Sequence, residues 1–279
     1  MPLWPAPPAA PAPSSDAAPS VKTTPPAAEP LVRAVVPSSL RRKVTPSKED
    51  ELFAMLARTA HTHAAPAPPA AAPPLPAEIC PAAGIKLIAI GASTGGTDAI
   101  ADVLHRLQPP LPPIVIVQHI PPGFSELFAR RLDRDCRLTA HTAREGEYLA
   151  PDHIYIAPGD RHVRVRRLGD RICLSVQEGP LVNGHCPSVD VLFQSVADQR
   201  LATDSLGVLL TGMGDDGARG LLAMRQGGAR TLGQDEVTSV VYGMPRAAWE
   251  AGAVERQLPL PAVAAAIAAL CARGPGAER

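Results

Sequence analysis

Between residues 85 and 271 the chain alternates short apolar runs with amphipathic stretches, and that alternation predicts an order of elements. The apolar run 85–91 reads as a buried strand, with a helix after it over about 96–107. Pro113–Gln118, continuous in β-branched residues, reads as a second strand of the kind that parallel sheets bury on both faces. A helix over 123–134 and a short strand near Leu138–Thr142 follow. Strand signals at 153–157, 162–167 and 171–176 are separated by Pro158-Gly159-Asp160 and Leu168-Gly169-Asp170, which predicts an antiparallel excursion. The alternation resumes with helix 188–200, strand Gly207–Thr211, helix 217–226 and strand 229–233, then a helix opened by Pro245 over 245–251 and an alanine-rich helix over 260–272. The expected fold class is α/β, a doubly wound, mostly parallel sheet with helices on both faces and an antiparallel excursion.

In such a sheet the carboxyl ends of the strands share one edge, so residues distant in sequence converge there. Three of these ends carry polar groups: Ser93, His119, and the pair Asp215-Asp216. Gly91-Ala92-Ser93-Thr94-Gly95 fits the G-x-S-x-G pattern of a nucleophilic serine on a strand-to-helix turn. A serine, a histidine that takes its proton and an aspartate that orients the histidine make a hydrolytic triad. The order Ser, His, Asp differs from that of the α/β-hydrolases.

Each residue has a plainer role open to it. The glycine-rich turn could bind phosphate at the helix N-terminus, although it has neither a P-loop lysine nor G-x-G-x-x-G spacing. Ser93 or Thr94 could cap the helix. His119 could be satisfied by backbone, and Asp215 or Asp216 could cap helix 217–226. His105, His141, His162 and His185 fall on a helix, two alternating strands and a loop, and carry less weight.

Composition divides the chain in two. Residues 1–80 hold 18 of the 33 prolines and none of the 22 glycines. Such alanine-proline tracts favour extended conformations and offer few large apolar groups to offset the entropy of folding, so a disordered, semi-stiff arm is expected. Within it, Thr45-Pro46-Ser47 could open a short helix over 49–58. Residues 81–275 suffice for one domain. Neither a membrane-spanning run nor a signal-peptide pattern is evident, so a cytoplasmic protein is expected. Five cysteines, Cys80, Cys136, Cys173, Cys186 and Cys271, form no C-x-x-C pair, and no metal or other cofactor is expected. Zero net charge and 3% aromatics argue against nucleic acid as a partner.

Five ordered motifs resemble the catalytic domain of the chemotaxis protein-glutamate methylesterases, the CheB family. They are Gly91-Ala-Ser-Thr-Gly-Gly96, Val117-Gln-His-Ile-Pro121, Pro187-Ser-Val-Asp-Val-Leu-Phe193, Leu210-Thr-Gly-Met-Gly-Asp-Asp-Gly-Ala218, and Gln234-Asp-Glu with Ser239-Val-Val-Tyr-Gly-Met-Pro245. The resemblance implies Ser93 as nucleophile, His119 as general base and acid, and Asp216, the aspartate directly before glycine, as the histidine's partner. Thr94, Met213 and Gly214 are the candidate oxyanion donors. It further implies hydrolysis of γ-methyl glutamate esters on the cytoplasmic helices of chemoreceptors, with deamidation of glutamines there, both through an acyl-enzyme. A receptor-binding module without turnover is the alternative from another class. The chain departs from the family pattern in three places. Residues 1–80 are too short and proline-rich for the usual phosphorylatable receiver domain, Cys186 stands where a basic residue is expected, and Gly233 replaces an alanine.

Overall fold

Every residue of β1 (Leu87–Ala92) is buried, and alternate side chains enter different cores. Ile88, Ile90 and Ala92 face one side, Leu87 and Ala89 the other, as a strand with helices on both faces requires. Burying a side chain such as Ile88 or Ile90 completely contributes about 1.5–3 kcal/mol. The structure, a computed structural model, describes residues 84–272. The N-terminal arm, its 49–58 helix, Cys80 and the outer bounds of the 81–275 domain lie outside the described residues.

β1 is the middle of a seven-stranded parallel sheet. In chain order the remaining strands of the sheet are β2 (Ile114–Gln118), β3 (Thr139–Thr142), β4 (His153–Ile156), β7 (Ser205–Leu209), β8 (Arg230–Gln234) and β9 (Arg256–Leu258). The spatial order is β3-β4-β2-β1-β7-β8-β9, with every pairing parallel. Helices α1 (Gly96–His105), α2 (Phe124–Asp135) and α6 (Leu260–Cys271) pack on the face of Ile88 and Ile90. Helices α3 (Val189–Asp198), α4 (Ala218–Gln226) and α5 (Met244–Glu250) cover the other, together with the hairpin β5 (His162–Leu168) and β6 (Arg171–Gln177).

Two sequence expectations need correction. The stretch 153–157 is not part of the antiparallel excursion: β4 runs parallel between β3 and β2, and only β5 and β6 pair antiparallel. The turn sequence Pro158-Gly159-Asp160 joins two different sheets rather than two partners. β9, three residues long, is too short to leave a periodic signal.

Candidate active site

The parallel ladders fix where Ser93 and His119 stand. Ala92 pairs with Gln118, and His119 N donates to Ala92 O at 3.1 Å, so the next residue of each strand lies side by side. On the other flank Ser93 N donates to Thr211 O at 3.0 Å. The buried Gln118 side chain ties the two ends together, its Nε2 donating to Ser93 O at 2.8 Å and to His119 O at 3.0 Å. Thr211 is held in turn by Gln234, whose Oε1 accepts from Thr211 N at 2.8 Å.

The glycines around Ser93 act in two ways. Gly95 takes φ of 77° as the N-cap of α1, a conformation that favours glycine. Gly91 is needed for space instead, since a Cβ there would stand 2.2 Å from Val189 Cγ1. Neither Ser93 nor Thr94 caps α1. The phosphate-loop alternative is also disfavoured: Gly96 N–H is spent on Ser93 O at 2.8 Å, and Asp98 places a carboxylate in the first turn.

Asp215 and Asp216 separate cleanly, the first exposed and the second 1% exposed. Neither caps α4, whose N-cap Gly217 has φ of 96° and receives no side-chain bond. Asp216 accepts from His119 Nε2 at 2.8 Å, Asn183 Nδ2 at 2.7 Å, Ser188 Oγ at 2.7 Å, Val189 N at 2.7 Å and Asp190 N at 3.2 Å. Burial pushes this carboxyl upward, but the donors, His119 and Ser188 foremost, outweigh it and hold the pKa at about 2. An ionised Asp216 keeps a proton on His119 Nε2. The nitrogen left for proton transfer is Nδ1, which is buried and has no hydrogen-bond partner among the described residues. This is the reverse of the serine-protease arrangement, in which the aspartate holds Nδ1 and the serine faces Nε2. No hydrogen bond joins Ser93 Oγ to His119 here; such contacts commonly tighten only once substrate is bound.

The loop after β7 runs close against the serine, because a Cβ on Gly212 would lie 2.8 Å from Ser93 Cβ. The N–H groups of Met213 and Gly214, the residues that follow, and of Thr94 donate to no described residue. They are free to meet an oxyanion. Two exposed apolar side chains flank this edge: Val240, which lies against Gly95, and Met213, which follows the Gly212 packed on Ser93.

Several site residues lay hidden in the sequence. Asn183 donates from one Nδ2 to both Asp216 and Asp190 and accepts from Arg219 at 2.6 Å. His185 stacks on His119 with ring centroids 3.7 Å apart. Asn183-Gly184 is a turn signal, and Ser188, second in the Pro-Ser-Val-Asp motif, is the N-cap of α3. A cleft of about 430 Å³ lined by Val182, Asp190, Val191, Arg219 and Gly220 lies beyond Asn183, and neither Ser93 nor His119 lines it. The other histidines are held structurally, His105 on Asp135 O, His141 on Glu147 and His162 between two backbone groups. Cys186 is half-buried, and burial pushes its thiol up. Gly233 fits its surroundings as glycine, since a Cβ would meet Val254 Cγ2 at 2.9 Å.

Known proteins resemble this chain in sequence and in fold. A sequence model described as CheB methylesterase matches residues 88–267. A Pseudomonas aeruginosa protein named protein-glutamate methylesterase/protein-glutamine glutaminase 2 is 51% identical over 209 residues, 75% of this chain and 58% of that protein. The Escherichia coli K12 protein-glutamate methylesterase/protein-glutamine glutaminase is 54% identical over 169 residues, 61% of this chain and 48% of its own. The chain thus spans about half the length of the curated relatives it matches. The crystal structure of the Thermotoga maritima CheB methylesterase catalytic domain superposes with a TM-score of 0.64 at 33% identity, covering 66% of this chain and 97% of that domain.

Proposed function

Because the chain belongs to the CheB methylesterase family, we propose that it hydrolyses γ-methyl glutamate esters on the cytoplasmic helices of chemoreceptors, with residues 81–275 as the catalytic domain. The observation that carries this reading is the convergence of Ser93, His119 and Asp216 on the ends of three neighbouring strands, β1, β2 and β7. Ser93 Oγ attacks the ester carbonyl while His119 Nδ1 takes its proton, and Asp216 balances the imidazolium that forms. The N–H groups of Met213, Gly214 and Thr94 receive the oxyanion. His119 then protonates the departing methoxide, and water resolves the acyl-enzyme by the same steps in reverse. An amide enters the same cycle with ammonia as leaving group, in keeping with the glutaminase in the relatives' names.

The exposed apolar rim suits a protein segment as substrate better than a small polar ester, since such patches mark interaction surfaces. The working compartment is accordingly the cytoplasm. Among the described residues no helix is long and apolar enough to cross a membrane. The test is methanol and ammonia release from methylated receptor membranes by the full chain and by Ser93→Ala. Serine-dependent methanol is the expected result. Ammonia alone would make the chain a deamidase, and release of neither, with receptor binding retained, would make it a binding module.

A further inference from the structure

One turn touches both members of the His119–Asp216 pair, Asn183 bonding Asp216 and His185 stacking on His119. Val182 and His185 exchange both backbone hydrogen bonds at 3.0 Å, and Asn183 and Gly184 between them have φ of 52° and 77°. That is the two-residue hairpin tip asparagine and glycine adopt most readily. Its two feet are fastened by the buried His162, whose Nε2 donates to Pro180 O at 2.9 Å and whose Nδ1 accepts from Ser188 N at 3.2 Å. The tip is anchored through Asn183 on Asp216 and Asp190. With both ends fixed, the His185 ring lies flat against His119, its plane 15° from parallel. Burial, and then the neighbouring His119, push the pKa of His185 down, so it stacks as a neutral ring.

We propose that His185 is a positioning residue that sets the plane of His119 and thereby directs Nδ1 at Ser93. His119 is held at its backbone and at Nε2, and these two fixed points define an axis through the ring. The remaining freedom is rotation about that axis, which swings Nδ1 toward the serine or away from it. A parallel ring in van der Waals contact opposes that rotation. Buried Nδ1 has no hydrogen bond of its own to resist it. Misplacement of a reacting group by about 1 Å costs on the order of 100-fold in rate, so loss of the stack falls on the chemical step and leaves substrate binding intact.

The inference rests on the hydrolytic reading of Ser93 but not on which ester is the substrate. The test is therefore the rate at which a fluorophosphonate probe labels Ser93 in the full chain, in His185→Ala and in His185→Phe. Alanine is expected to slow labelling roughly 10–100-fold, and phenylalanine, which keeps a flat ring, to restore it to within about threefold. On methylated receptors the alanine variant is expected to lose kcat with KM unchanged. Labelling of His185→Ala at the wild-type rate would overturn the proposal, as would a folded His185→Phe as slow as alanine. Should the alanine variant not fold, the phenylalanine variant decides alone, and labelling more than tenfold below wild type counts against it. A wild-type chain that labels at Ser93 yet releases no methanol overturns only the substrate assignment, and one that does not label overturns both.

Discussion

Replacing Asp216 by asparagine removes one charge from the group in the site with five hydrogen-bond donors around it, and changes its shape very little. The carboxyl sits at about 2 instead of its ordinary 3.8. A folded value below the unfolded one means that ionisation stabilises the fold fully above pH 3.8, and that this contribution fades as pH falls through about 2. The shift corresponds to about 2 kcal/mol at neutral pH, of which about 1 kcal/mol survives at pH 3. Asparagine is neutral at every pH. Its stability deficit against wild type, measured by urea unfolding, is therefore expected to narrow by about 1 kcal/mol between pH 6 and pH 3. Other carboxylates titrate alike in both proteins and cancel from the difference. Activity should fall roughly 10³–10⁴-fold, because an amide nitrogen facing His119 shifts the ring proton to Nδ1, where it blocks acceptance from Ser93. A deficit that stays constant or widens on acidification would refute the account of Asp216 as a carboxylate held ionised by its donors.

Gly91→Ala is expected to cost about 1–3 kcal/mol by driving a methyl into Val189, and to lower activity further, since Val189 N is one of the donors to Asp216. Adding Val189→Ala should recover much of both losses, and calorimetry with methanol release checks it; no recovery would show that the close approach of α3 is not the reason for glycine at 91. For the rim, Met213→Ser with Val240→Ser is expected to raise KM for methylated receptors about tenfold or more, as loss of buried apolar area implies, while hydrolysis of p-nitrophenyl acetate stays unchanged. Equal loss on both esters would mean that the rim supports the fold rather than the substrate.

The strands that carry Ser93 and His119 were legible because a parallel strand buried on both faces must be continuously apolar, so its end is marked by the first polar residue. From local pattern alone Asp216 was legible only jointly with Asp215; the family resemblance selects Asp216, and burial, which no local pattern encodes, separates the two in the structure. The residues that enclose the pair were not legible. Asn183 and His185 sit in a turn without periodicity, and their roles depend on contacts with Asp216 and His119, 33 residues away in the first case. β4 was misassigned for a related reason: a turn sequence between two strands says that the chain bends, not that the strands pair. The pattern marked Gly91 without its reason, because its constraint comes from Val189 on another element.

The pairing of β1 with both β2 and β7 also bears on when hydrolytic competence arises. The charged partner of His119 lies 97 residues further along the chain, and contacts of such separation close late, after local helices and neighbouring strands have formed. During synthesis the serine and the histidine emerge well before the aspartate. On the proposed reading, a nascent or partly folded chain therefore holds Ser93 without the complete triad. On the proposed hydrolytic reading the triad is complete only in the native fold, and a chain that ends before Asp216 lacks one of its three members.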